Sequence, residues 1–184
     1  MKQFSFFLLC SMILQSCVIT NTPGFYSGYS QLSENEKSKI VFTDPQREIC
    51  NINTDGKIYS VTGIQLHECI SSSQKAIVYF WSPNCSSEKC YNYNFINEYC
   101  QDNGYALFFI VEYYDFKKTN AELLSGALSA LYSVNERYYK TKYCNKYMRL
   151  FIKDLLENQQ YNKDDVYSNF FVFQDGKLVR TSLE

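Results

Sequence analysis

Residues 75–90, KAIVYFWSPNCSSEKC, constrain the fold of this chain more than any other stretch. They open with an apolar run, residues 76–81, made of the β-branched and aromatic side chains that favour a buried strand. Ser82, Pro83 and Asn84 break the run, because proline has no amide proton to give a ladder. Cys85 follows, and Ser86, Ser87 and Glu88 then open a predicted helix that runs to about Asn103. A cysteine at such a junction lies where unpaired amides and the helix dipole lower a thiol pKa. Chemistry is therefore sought first at Cys85.

Upstream, residues 1–16 carry one early charge, Lys2, and then an apolar core at 4–14. That core is too short to stay in a bilayer as a spanning helix and reads as a secretory signal. Leu14-Gln15-Ser16-Cys17 resembles the lipobox of bacterial lipoproteins, in which the cysteine becomes the acylated first residue of the mature chain. The short apolar core, Leu14 and the small Ser16 favour lipidation over an ordinary signal peptide with an incidental cysteine. Residues 17–39 are polar and lack a sustained apolar period, which predicts a flexible tether. The remainder, 40–184, suits one domain.

Short strands are predicted at 40–43 and 57–62, around an Asn-Thr-Asp-Gly turn at 53–56, and a short helix at 65–71 carries Leu66, Cys69 and Ile70 on one face. On the helix after Cys85 the apolar stripe is Phe95, Ile96, Tyr99 and Cys100, closed by Asn103-Gly104. The apolar run at 105–114 suits a strand covered on both faces, so strand, helix and strand form one crossover unit. Some 50 residues then separate it from the end of the chain's pattern, more than a crossover needs. Within them Leu124, Ala127, Leu128 and Leu131 predict a helix over 120–131, and Met148, Phe151, Ile152 and Leu155 a stronger one over 144–156, with room for a short strand in 132–143. Residues 169–173 and 177–181 around Asp175-Gly176 form a hairpin. A mixed sheet of four or five strands is expected, with 76–81 and 105–112 at its centre.

Phe80-Trp81-Ser82-Pro83-Asn84-Cys85 resembles the segment that leads to the attacking cysteine of thioredoxin-like proteins, especially membrane-tethered bacterial ones. The resemblance covers roughly residues 57–114 and returns at 167–180. It implies a thioredoxin-like three-layer α/β/α sandwich with a mixed central sheet, here with a helical insertion before the last hairpin and no C-terminal helix. It also implies a redox site, from which this sequence departs three times. The second thiol of redox-active members lies three positions on, where Glu88 stands, and the next cysteine is Cys90. In one regular helix Cys85 and Cys90 would have Cα atoms ~8 Å apart, too far for a relaxed disulfide, so a bridge needs a non-helical 86–87 segment. Ser168 takes the place of the family's cis-proline, and Tyr79 that of its buried acid, leaving Glu88 as a candidate proton acceptor.

Cys69, Cys100 and Cys144 fall on apolar helical faces, where they act as small hydrophobes or structural bridges; Cys50 is less placed. An oxidising compartment would permit bridges, and the six cysteines that follow Cys17 allow 15 pairings. His67 is the only histidine and paired C-x-x-C spacings are absent, which argues against zinc and against a Cys-His hydrolase. No cofactor motif is present, and with a net charge of −1 no basic stripe points to nucleic acid. Two functional classes are left. One is a binding or structural module, without efficient redox turnover, that meets a protein partner. The other is a thiol–disulfide oxidoreductase with Cys85 attacking and Cys90 resolving.

The anchoring expectation is acylation, including palmitate, at Cys17 and a periplasm-facing domain in a bacterial cell envelope, since no acidic run follows Cys17. Two or more acyl chains hold a protein stably, each buried CH₂ contributing about 0.8 kcal/mol. Cys17→Ser should move the protein from the membrane to the soluble fraction; retention in the membrane would refute the anchor.

Overall fold

The structure, a computed structural model, describes residues 22–52, 55–87, 90–119, 130–157, 159, 161 and 168–183. A 3-10 turn (Tyr29–Gln31) and a one-turn helix α1 (Glu34–Lys37) precede strands β1 (Ile40–Phe42) and β2 (Ile58–Val61). Helix α2 (Gly63–Ser71), β3 (Lys75–Trp81), α3 (Tyr93–Asn103) and β4 (Ala106–Val111) follow. The described chain then runs through β5 (Leu131–Val134), α4 (Cys144–Leu156), β6 (Phe170–Gln174) and β7 (Lys177–Arg180).

All seven strands join one mixed sheet in the order β1-β2-β5-β4-β3-β6-β7. The first five in that order run parallel, while β6 pairs antiparallel with β3 and β7 antiparallel with β6. The expected centre is correct: β3 pairs with β4 on one side and β6 on the other. Alternation along β3 builds two cores. Ala76, Val78 and Phe80 face Leu66 and Ile70 of α2 and Phe151 and Leu155 of α4. Ile77, Tyr79 and Trp81 face Tyr93, Ile96 and Cys100 of α3. Helices therefore cover both faces, the condition under which a parallel strand can be apolar throughout.

The sheet has seven strands, more than the expected four or five: β1 and β2, read from the sequence as short strands, extend one side, and the insertion before the hairpin contributes β5, which lies between β2 and β4. Leu131, expected at the end of a helix, is the first residue of β5; Leu124, Ala127 and Leu128 of that stripe lie outside the described residues. Leu131 and Tyr132 enter opposite cores, an alternation that a stripe of leucines at helical spacing masks.

Helix ends follow local chemistry. Thr62 and Gln65 form a capping box, so α2 begins at Gly63 and not at Gln65. Gln65 also donates from Nε2 to the carbonyls of Asp44 and Arg47, tying down the loop after β1. Helix α3 corrects two expectations. It starts at Tyr93, capped by the Asn92 side chain, and not near Ser86. Its buried face is Tyr93, Ile96, Asn97 and Cys100, while Phe95 is 46% exposed. Gly104 closes it with φ 69°, as the Asn-Gly pair predicts. Helix α4 has the expected bounds and buries Phe151, Ile152 and Leu155. The hairpin turn has positive φ at both Asp175 (49°) and Gly176 (75°), the geometry of a tight two-residue connection.

Of the segment read as a tether, residues 22–39 pack onto the domain. Ser27 donates to the Lys142 carbonyl (2.9 Å) and accepts from the Tyr114 amide (2.7 Å), and Cys144 donates to the Phe25 carbonyl (3.1 Å). Ser33 and Glu36 cap α1 reciprocally. The earlier tether residues lie outside the described chain. No helix among the described residues is long and apolar enough to cross a membrane.

Helices α2 and α4 approach so closely that a Cβ at Gly63 would sit 2.2 Å from the Phe151 carbonyl oxygen and 2.7 Å from the Leu155 nitrogen. Gly63→Ala should therefore cost about 1–3 kcal/mol through overpacking, although alanine is the better helix former. The check is the denaturant midpoint, and an unchanged or higher value would contradict the close approach.

Candidate functional site

The carboxyl end of β3 opens into a loop that ends at Tyr93. Pro83 is buried, and the Cys85 amide turns back to the Ser82 carbonyl (3.1 Å). A second turn brings the Cys90 amide to the Ser87 carbonyl (3.0 Å). These two turns replace the predicted helical turn and let Cys85 and Cys90 form a disulfide with Cα atoms 6.0 Å apart. Cys85 is exposed and Cys90 half-buried, with the Ser87 hydroxyl 3.7 and 3.5 Å from their sulfurs. Glu88 lies outside the described residues. Cys85 is not at a helix terminus, since α3 begins beyond the bridge and the dipole acts within about one turn.

Two tyrosine hydroxyls and a carboxylate hold this loop. The Asn84 amide donates to the Tyr113 hydroxyl (3.1 Å), and Ser82 donates to the same oxygen (3.4 Å). Asn84 Nδ2 donates to Asp115 Oδ2 (3.0 Å). Tyr79, standing where the resemblance places an acid, is fully buried and donates its hydroxyl to the Tyr91 carbonyl (2.9 Å) just beyond the bridge. Ser168, where the resemblance would place a cis-proline, bonds to the carbonyls of Phe170 and Thr181, stitching the start of β6 to the end of β7.

Tyr113 and Asp115 were not visible as site residues in the sequence; the only signal is the polar Glu-Tyr-Tyr-Asp run that ends an apolar strand. They also line a cleft of about 360 Å³, whose other wall is the packed N-terminal segment, with Tyr26, Gln31, Glu36 and Lys117 on its sides. The cleft thus lies past the carboxyl ends of the parallel strands, where open α/β sheets commonly bind ligands.

The other cysteines among the described residues are structural. Cys50 and Cys69 form a disulfide with Cα atoms 5.1 Å apart, pinning the turn before β2 to α2. Cys100 and Cys144 are buried free thiols, and burial pushes their pKa values up to about 12 and about 11. Neither is a nucleophile near neutral pH. Tyr147 contacts the Cys144 sulfur at 3.0 Å and donates to the Glu112 carbonyl; burial raises its pKa well above the ordinary value. His67 clips two helices together. Its Nδ1 bonds to the Leu155 carbonyl (2.9 Å), and Nε2 lies 3.3 Å from the Ser71 hydroxyl and 3.2 Å from the Glu157 carboxylate. Among the described residues no three His, Cys, Asp or Glu side chains gather as a metal site.

No family model matches the chain, and neither a curated protein nor a solved structure matches it.

Glu112, the first residue past β4, has its pKa raised chiefly by burial, against a hydrogen bond from Ser82 that lowers it. Charging it in the fold therefore costs stability, an effect absent below the ordinary glutamate range and growing as pH rises through the raised value. Glu112→Gln should stabilise the protein at pH 7 and make no difference at pH 3. Equal midpoint shifts at both pH values would contradict this.

Proposed function

We propose that the chain is a membrane-anchored extracytoplasmic lipoprotein whose thioredoxin-like domain serves as a binding module without efficient redox turnover. The anchor rests on Leu14-Gln15-Ser16-Cys17. The thioredoxin-like reading is supported by the β4-β3-β6-β7 half of the sheet, in which a strand–helix–strand unit is followed by an antiparallel hairpin. In this reading β5 is an added strand, and β1 and β2 extend the sheet beyond it.

The observation that carries the binding reading is the setting of the bridge. Its loop is braced by Asn84 on Tyr113 and Asp115, two residues that line the neighbouring cleft. An exposed helix terminus contributes about 0.3–1 kcal/mol to a thiolate, which is less than one pKa unit, and here α3 starts too late for even that. The loop is thus better suited to present a fixed surface to a protein partner than to cycle rapidly. The second reading, thiol–disulfide exchange with Cys85 attacked first and Cys90 leaving, is favoured by one specific fact: Cys85 is exposed and bonded to Cys90.

Insulin reduction with dithiothreitol as the electron source separates the two. The binding reading expects no acceleration over dithiothreitol alone, for the wild type and Cys85→Ser alike. Robust turnover lost in Cys85→Ser would promote the oxidoreductase reading.

A further inference from the structure

Asn84 joins the disulfide loop to the cleft wall, and that connection has a regulatory consequence. Asn84 lies between the Ser82 turn and Cys85, and both of its polar contacts outside the loop go to the cleft wall, to Tyr113 and Asp115. From there the connection continues through backbone bonds. The Tyr114 amide donates to the Ser27 carbonyl (2.7 Å), so the opposite wall hangs on the same segment. The Asp115 carbonyl accepts from the amides of Lys118 (3.1 Å) and Thr119 (2.8 Å), starting the turn that carries Lys117 on the rim.

We infer that the Cys85–Cys90 bridge is a redox clamp on this cleft: closed, it holds Asn84 against Tyr113 and Asp115, and opened, it releases that wall. For its biological meaning the clamp rests on the binding reading, since it regulates the site assigned there. The physical reason is entropic. The bridge closes the short loop 85–90 immediately after Asn84, and residues 82–91 contain no helix or strand among those described, so cross-linking lowers the freedom of the chain next to Asn84 that opposes its contacts. The exposed Cys85 sulfur is the accessible point of attack, whereas Cys69 of the second bridge is buried.

The opening step needs a dithiol reductant. Its thiolate attacks Cys85 Sγ, the Cys85–Cys90 bond breaks, and Cys90 leaves as a thiolate that takes up a proton. The reductant's second thiol then displaces Cys85, which is also protonated. The protein gains two electrons and two protons, and the dithiol becomes a disulfide.

Hydrogen exchange by mass spectrometry and NMR on the full chain tests this without any ligand, so its outcome is independent of the insulin assay that decides the binding reading. Three proteins are compared: wild type, wild type briefly reduced with a phosphine, and Cys85→Ala/Cys90→Ala, which keeps the Cys50–Cys69 bridge. Loss of the clamp should raise exchange at the Asn84, Tyr114, Lys118 and Thr119 amides about tenfold or more, with α4 unchanged. Trp81, the single tryptophan and the last residue of β3, reports the same opening by a change in emission. Tyr113→Phe in the bridged protein should raise exchange at Asn84 without opening the disulfide. Unchanged exchange at 114–119 after reduction overturns the clamp. So does a rise spread equally over β3 and α4, which would make the bridge a general stabiliser; the pulse-reduced wild type decides if the double variant fails to fold.

Discussion

The burial of β3 on both faces is the constraint on which the rest of the structure depends. Its six residues from Ala76 to Trp81 are each at most 7% exposed, and their alternation gives each face of the sheet its own core. Full burial of a large apolar side chain contributes about 1.5–3 kcal/mol, so a single strand supplies much of the drive for packing α2 and α4 on one face and α3 on the other. Parallel pairing to β4 and antiparallel pairing to β6 also satisfy its backbone groups on both edges. A strand so enclosed must leave the core at its carboxyl end, and the chain does so through Ser82, Pro83 and the bridged loop.

Tyrosine is the device that joins this apolar interior to its polar margins. The chain has 17, and several buried ones combine an apolar ring with a hydroxyl that reaches backbone or loop. Tyr79 reaches the Tyr91 carbonyl, Tyr114 the Ser133 hydroxyl (2.8 Å), and Tyr139 accepts from the Gly63 amide (3.0 Å) while donating to Asp154 (2.9 Å). Tyr113 does the same for the disulfide loop. Burial raises the pKa values of Tyr114, Tyr132, Tyr139 and Tyr147, so these hydroxyls stay protonated and remain donors. Tyr79 fits the same design: its hydroxyl holds the chain just past the bridge.

Elements set by local pattern were legible in the sequence. The apolar run of β3, the 3.6-residue period of α4 and the Asp-Gly turn between β6 and β7 each specify themselves within a few residues. Elements set by distant partners were not. A short strand was expected within 132–143, but its start at Leu131 and its place in the sheet come from β2 and β4, which offer it two edges that no local signal encodes. The start of α3 was misplaced because Ser86 and Ser87 are good caps in isolation, whereas the bridge to Cys90 and the Asn92 cap decide the outcome. That shift turned Phe95 outward and moved Tyr93 and Asn97 inward. The packing of residues 22–39, polar by composition, combines backbone hydrogen bonds with a few aromatic contacts, such as Tyr26 on Tyr143 and Tyr29 on Phe42, that composition does not report.

Cysteine pairing shapes the loop by which the chain leaves the buried strand, and its direct measurement is a thiol map. Protein purified without reductant is denatured, alkylated, digested and read by mass spectrometry. Among Cys50, Cys69, Cys85, Cys90, Cys100 and Cys144, the expected result is alkylation at Cys100 and Cys144 alone, with linked peptides joining Cys50 to Cys69 and Cys85 to Cys90. Alkylated Cys85 or Cys90, or a peptide joining either one to Cys100 or Cys144, would contradict the braced loop at the end of β3.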